Sequence, residues 1–112
     1  MFEKDYQVAR VGWVADYNDP MTFLDMWVTG SDNNLADWTN ARYDQLIDKA
    51  TRTGDKSARN GLMFEAEKIL MDEEPVIPIY YYTNPYLERE TIKGVIHPSF
   101  AFFADFKWAY VE

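Results

Sequence analysis

The run Trp13-Val14-Ala15-Asp16-Tyr17-Asn18-Asp19-Pro20 sets two carboxylates three residues apart among aromatic side chains. Such a pair could in principle serve as general acid and general base in a carboxylate hydrolase. Asp19 has a simpler duty. Standing directly before Pro20, it reads as the N-cap of a helix whose first residue is the proline. Asp16 has no such duty. It follows the end of an expected strand and lies between Trp13 and Tyr17, so its carboxylate is expected in a partly dry pocket. A carboxylate placed there attracts a cation strongly, because Coulomb energies rise as the local dielectric falls. The plainer alternative is an aspartate that only stabilises the turn.

Arg10 precedes Trp13 by three residues on the same expected strand. Its planar fork could meet a ligand carboxylate, or it could pair with a nearby acid and only stabilise. Tyr80, Tyr81 and Tyr82 fall on a later expected strand, where Tyr81 faces away from its two neighbours. Two phenols on one face beside Asn84 could stack on a ligand; equally they could be core. Other chemistries find no support. His97 is the single histidine and cysteine is absent, so a transition-metal site would need unusual ligands and no cofactor is expected. There is no glycine-rich phosphate loop, and Ser99, the serine nearest His97, has no nucleophile-elbow motif around it.

The elements that must position these residues alternate in type. Residues 6–13 read as a strand and 14–20 as a turn-rich loop. A helix entered through Pro20 carries Phe23, Leu24 and Trp27, and a polar loop follows over 29–34. A second helix begins at Thr39 or Asn40 with Tyr43, Leu46, Ile47 and Ala50 on one face. Thr53-Gly54-Asp55 stops it and caps a third helix bearing Leu62, Met63, Ala66, Ile69 and Leu70, which ends near 72–75. The two form a helical hairpin. Residues 76–82 read as a strand with Pro78 on an edge, and short β pieces follow at 86–87, 92–96 and 106–111. The fold class is mixed α and β (α/β), with helices between strands. Expected strands nearly reach both termini, which suggests a piece of something larger.

Composition narrows the partners. The formal net charge is −8, with 19 acidic against 11 basic residues, and no basic stripe offsets it. Nucleic acid and anionic membrane are therefore poor partners, and no nucleic acid is expected. A hydrophobic fraction of 47% fits a folded chain, and the 17% aromatic fraction suggests a large core or a ligand-receiving surface. No apolar run approaches the ~20 residues of a membrane span, and the opening at Met1 shows no secretory pattern.

The run Ala9-Arg10-Val11-Gly12-Trp13-Val14-Ala15-Asp16-Tyr17-Asn18-Asp19-Pro20, followed by Thr22-Phe23-Leu24, resembles the oligopeptide-binding proteins of bacterial ABC importers. So does a second block, from Ala66-Glu67-Lys68-Ile69-Leu70 through Pro75-Val76-Ile77-Pro78-Ile79-Tyr80-Tyr81-Tyr82-Thr83-Asn84. Asn33-Asn34, Tyr43-Asp44-Gln45-Leu46-Ile47 and Phe106-Lys107-Trp108-Ala109-Tyr110 fit the intervening and closing segments. The resemblance implies the C-terminal portion of a two-lobed periplasmic-binding-protein type II fold. Residues 1–75 would be lobe with ligand loop and hairpin, and 76–112 crossover strands returning to the other lobe. It implies a receptor that delivers peptides to ABC permease subunits, a parent in the periplasm or tethered as a surface lipoprotein, and no catalysis. Asp16 matches the aspartate that binds the peptide α-ammonium group. The strand around Val11 to Trp13 would pair with the peptide backbone, with Gly12, Trp13 and Val14 among the ligand-binding residues. Arg10 matches a position that contacts the carboxyl end of short peptides, Tyr82 and its neighbours match the family's aromatic strand, and Tyr17 is expected with Tyr82 among the ligand-binding residues. Dipeptide or other small-solute receptors are the alternative on the same scaffold. A further alternative is a fragment that binds nothing, or self-associates through surface left by a missing lobe.

Overall fold

A computed structural model describes residues 6–98 and 103–112. The opening at Met1 and Ser99 lie outside the described residues. The chain divides into two compact units, one ending at Pro78 and the other running from Ile79 to Glu112.

The first unit is built on the helical hairpin. Helix α1, Met21–Leu24, runs into a 3₁₀ turn over Asp25–Trp27. Helix α2 spans Ala41–Arg52 and α3 spans Lys56–Glu73. The starts of both long helices have local causes. Asn40 is extended and its side-chain oxygen accepts the amides of Arg42 (2.9 Å) and Tyr43 (3.0 Å). Asp55 accepts the Ala58 amide at 2.8 Å. Each cap satisfies amides that have no partner within the helix. Helix α3 stops where Glu74 turns left-handed (φ 51°) before Pro75, which cannot continue it.

The core lies between these helices. Tyr43, Leu46, Ile47 and Ala50 of α2 face Met63, Ala66 and Leu70 of α3, closed over by Met21, Leu24, Met26 and Trp27. The stripe expected on α2 is buried as read. On α1 the stripe is narrower than expected: Leu24 and Trp27 are buried, but Phe23 is 44% exposed. Asn34 is 2% exposed, although it lies in a loop expected to be polar surface. Its amide nitrogen reaches the carbonyls of Trp27 (3.3 Å), Val28 (3.3 Å) and Trp38 (2.7 Å), and its oxygen accepts the Trp38 amide (3.3 Å). Two amide hydrogens serve three carbonyls, so one of them is shared.

The strands depart most from expectation. Residues 6–13 and 76–82 form no ladder among the described residues. A strand exists only where a second backbone accepts its hydrogen bonds, and local composition cannot supply one. Pairing is confined to the second unit, where β1 (Ile92–Lys93) runs antiparallel to β2 (Tyr110–Val111). An isolated bridge joins Ile96 to Asp105. The β piece expected at 86–87 does not form, and those at 92–96 and 106–111 contract to two residues each. The unit leaves Ile79, Tyr81, Leu87, Phe103 and Trp108 exposed.

Candidate functional site

Residues 13–20 leave the core and re-enter it. Trp13 is partly buried and packs on the core cluster, with its indole N–H enclosed and without a hydrogen-bond partner among the described residues. The loop beyond it is held at three places. The Asp16 amide donates to Thr22 Oγ1 at 3.1 Å, and Thr22 is 2% exposed. The Tyr17 hydroxyl donates to Asp25 at 3.3 Å. Asp19 Oδ1 accepts the Met21 amide at 2.8 Å, while both its oxygens take the guanidinium of Arg59, at 2.7 and 2.8 Å.

Helix α1 starts one residue later than expected, with Pro20 and not Asp19 at its N-cap position, yet Asp19 still accepts the Met21 amide and carries an ion pair that the sequence does not announce. The Arg59 hydrogen bonds, opposed by partial burial, hold its carboxyl below the usual carboxylate range. A group held ionised in this way is unsuited to general-acid work, which needs a raised pKa. Partial burial, followed by the charge of Asp25, pushes the Tyr17 phenol up.

The carboxylate of Asp16 is exposed, and among the described residues no basic side chain is paired with it. Among the described residues Asp16 is exposed, without the partly dry surroundings expected for it. Trp13 turns inward to the core, while Tyr17 stays 45% exposed and reaches Asp25. Gly12, Val14 and Arg10 are exposed on the approach to the loop. Tyr82 belongs to the second unit, where its ring meets Tyr80 edge-on at 5.0 Å. Tyr81 is 98% exposed, so the expected alternation persists without a ladder. In the same unit His97 stacks on Tyr86 at 3.7 Å and meets Glu88 at 2.9 Å. Among the described residues no group of three potential ligands could hold a metal ion.

The residues that sequence reasoning missed are Thr22 and Arg59. Thr22 has no distinguishing neighbour, and Arg59 stands 40 positions from its partner.

No protein-family model matches the chain. The chain is 39% identical over 105 residues to the dipeptide-binding protein DppE of Bacillus subtilis, an alignment covering 93% of this chain and 19% of that protein. It is 39% identical over 99 residues to the oligopeptide-binding protein OppA of the same organism, covering 88% and 18%. Further relatives are named as periplasmic peptide-binding proteins. Among solved structures, the pheromone receptor PrgZ, described with its mode of peptide binding, superposes with a TM-score of 0.74 at 31% identity, over 97% of this chain and 20% of that one. The mixed helix-and-strand segment therefore has the fold of a piece of a substrate-binding domain. Over most of its length the chain is thus similar to one segment of proteins named as dipeptide- or oligopeptide-binding. It spans about a fifth of the length of the relatives it matches.

Proposed function

We propose that this segment supplies the α-ammonium site of a peptide receptor serving an ABC importer, with Asp16 as the anchoring carboxylate. The observation that carries this reading is Asp16 itself: an exposed carboxylate with no paired base among the described residues, on a loop tied down at Thr22, Asp25 and Arg59. A fixed anion binds a cationic group better than a floppy one, because the ordering entropy is already spent. The backbone of residues 11–13 has no ladder partner among the described residues, so a peptide can add to it as a strand. Main-chain pairing gives affinity with little side-chain selectivity, as a general peptide receptor needs. Arg10, Gly12, Val14 and Tyr17 would flank the ligand. The shielding that raises affinity would come from the remainder of the parent.

The names of the relatives support an extracytoplasmic place for the parent, free in the periplasm or held as a surface lipoprotein. Binding rather than catalysis is supported by those names and by the commitment of Asp19 to Arg59. Equal identity to a dipeptide-binding and an oligopeptide-binding relative keeps the dipeptide receptor as a second reading. The test is a fluorescence titration of the chain, read by Trp13 against a Trp13→Phe control. The ligands are a free tetrapeptide, its N-acetylated twin and a dipeptide. Saturable binding of the free tetrapeptide that acetylation abolishes is the expected result. Preference for the dipeptide would move the assignment to the second reading, and indifference to acetylation would refute the ammonium site.

A further inference from the structure

Arg59 lies in the first turn of α3, and α3 does not need it. Asp55 caps that helix, and Met63, Ala66 and Leu70 pack it. The fork of Arg59 instead grips Asp19 at 2.7 and 2.8 Å, with both side chains about three-quarters withdrawn from solvent (24% and 29% exposed). From Asp19 the ties run on towards Asp16. The Asp19 carbonyl accepts the Thr22 amide at 3.2 Å, and the Thr22 hydroxyl accepts the Asp16 amide at 3.1 Å. The Asp19 amide closes back on the Tyr17 carbonyl at 2.9 Å. Helix α1 is only four residues long, too short to hold a geometry of its own. Where its preceding loop sits is therefore decided by what the loop is tied to.

We infer that Arg59 is a positioning residue for Asp16: through Asp19 and Thr22 it fixes the loop that presents the anchoring carboxylate, and so sets affinity for a cationic amino terminus without touching it. This inference rests on the reading of Asp16 as the ammonium site. A bidentate guanidinium fixes orientation as well as charge, which a lysine cannot reproduce. An ordinary stabilising ion pair would need only the charge.

The test combines amide hydrogen exchange with peptide titration on the 112-residue chain and on its Arg59→Met and Arg59→Lys variants. Arg59→Met should speed exchange at the Asp16, Met21 and Thr22 amides about tenfold and weaken free-tetrapeptide binding about tenfold, as loss of a charge-assisted contact does. Protection at Leu46, Ala50 and Leu70 should fall less than in the loop, only as far as global stability falls, and Arg59→Lys should recover only part of both losses. Asp19→Asn keeps the side-chain shape and gives the same reading should Arg59→Met not fold. Unchanged loop exchange in Arg59→Met, equal loosening of α2 and α3, or full rescue by lysine would overturn the inference. A loop that loosens in a chain that never binds peptide would support the tether and refute the ammonium site.

Discussion

The hydroxyl of Tyr43, on the fully buried face of α2, donates to the Leu24 carbonyl at 2.6 Å and so fastens the short α1 to the helical hairpin. Burial pushes this phenol well above the usual tyrosine range, with Asp25 and Asp44 adding to the effect. Tyr43→Phe should keep the packing and lose the bond, costing about 1–2 kcal/mol in urea denaturation. The sign of the pH effect follows from the raised pKa. The folded state keeps the proton longer than the unfolded state, so this contribution is intact below about pH 10 and declines as pH rises beyond it. Tyr43→Phe should therefore flatten the loss of stability on the alkaline side.

Asn34 is a polar side chain doing what backbone cannot do in a buried loop: it pairs with carbonyls of Trp27, Val28 and Trp38. Asn34→Leu has a similar branched shape, with a larger volume, and strands those carbonyls. It should cost about 2–3 kcal/mol, more than Asn33→Leu next door, measured by the shift in the denaturation midpoint.

The Asp19–Arg59 pair makes acid stability testable. The carboxyl of Asp19 lies below its usual range when folded, chiefly because Arg59 bonds to it. The unfolded state then binds more protons, so the contribution is complete above about pH 4 and is lost as pH falls through the lower folded pKa. Arg59→Met should lower stability near neutrality and reduce the slope of the acid limb. A parallel displacement of the whole curve would contradict this assignment.

Gly94 turns the backbone beside the β1–β2 pair with φ at 76°, and a β-carbon there would strike the carbonyl of Trp108. Gly94→Ala should cost about 2 kcal/mol or more, from strain and clash together. The damage should be confined to the second unit. Exchange of the Glu112 amide, which bonds the Thr91 carbonyl at 2.8 Å, should accelerate while the α2–α3 amides stay protected.

What could be read in advance follows the range of the interactions concerned. Helices α2 and α3 were legible because their causes are local: caps at Asn40 and Asp55, an apolar face at helical spacing, and a proline just past the end. The strand expected over 6–13 was not realised because its β-formers need a second backbone, and pairing is a non-local property. Asn33 and Asn34 look alike in sequence; only the carbonyls converging from Trp27 and Trp38 decide which one is buried. At the proposed site, spacing left Asp16 without a helix-capping duty but kept a turn-stabilising role open, and the ammonium role came from the resemblance alone. The dry surroundings expected for it are not formed among the described residues, because Trp13 follows the core instead of the loop. Arg59 was invisible for the same reason as the strands: nothing near it in sequence points to Asp19.

The most direct test of the central claim is calorimetric titration of a free tetrapeptide into the chain and into its Asp16→Asn variant, with the N-acetylated peptide as control. Asparagine keeps the shape of the side chain and removes its charge. If Asp16 anchors the α-ammonium group, affinity for the free peptide should fall about tenfold or more in the variant, with binding of the acetylated peptide unaltered. Equal affinity of both proteins for the free peptide would contradict the account.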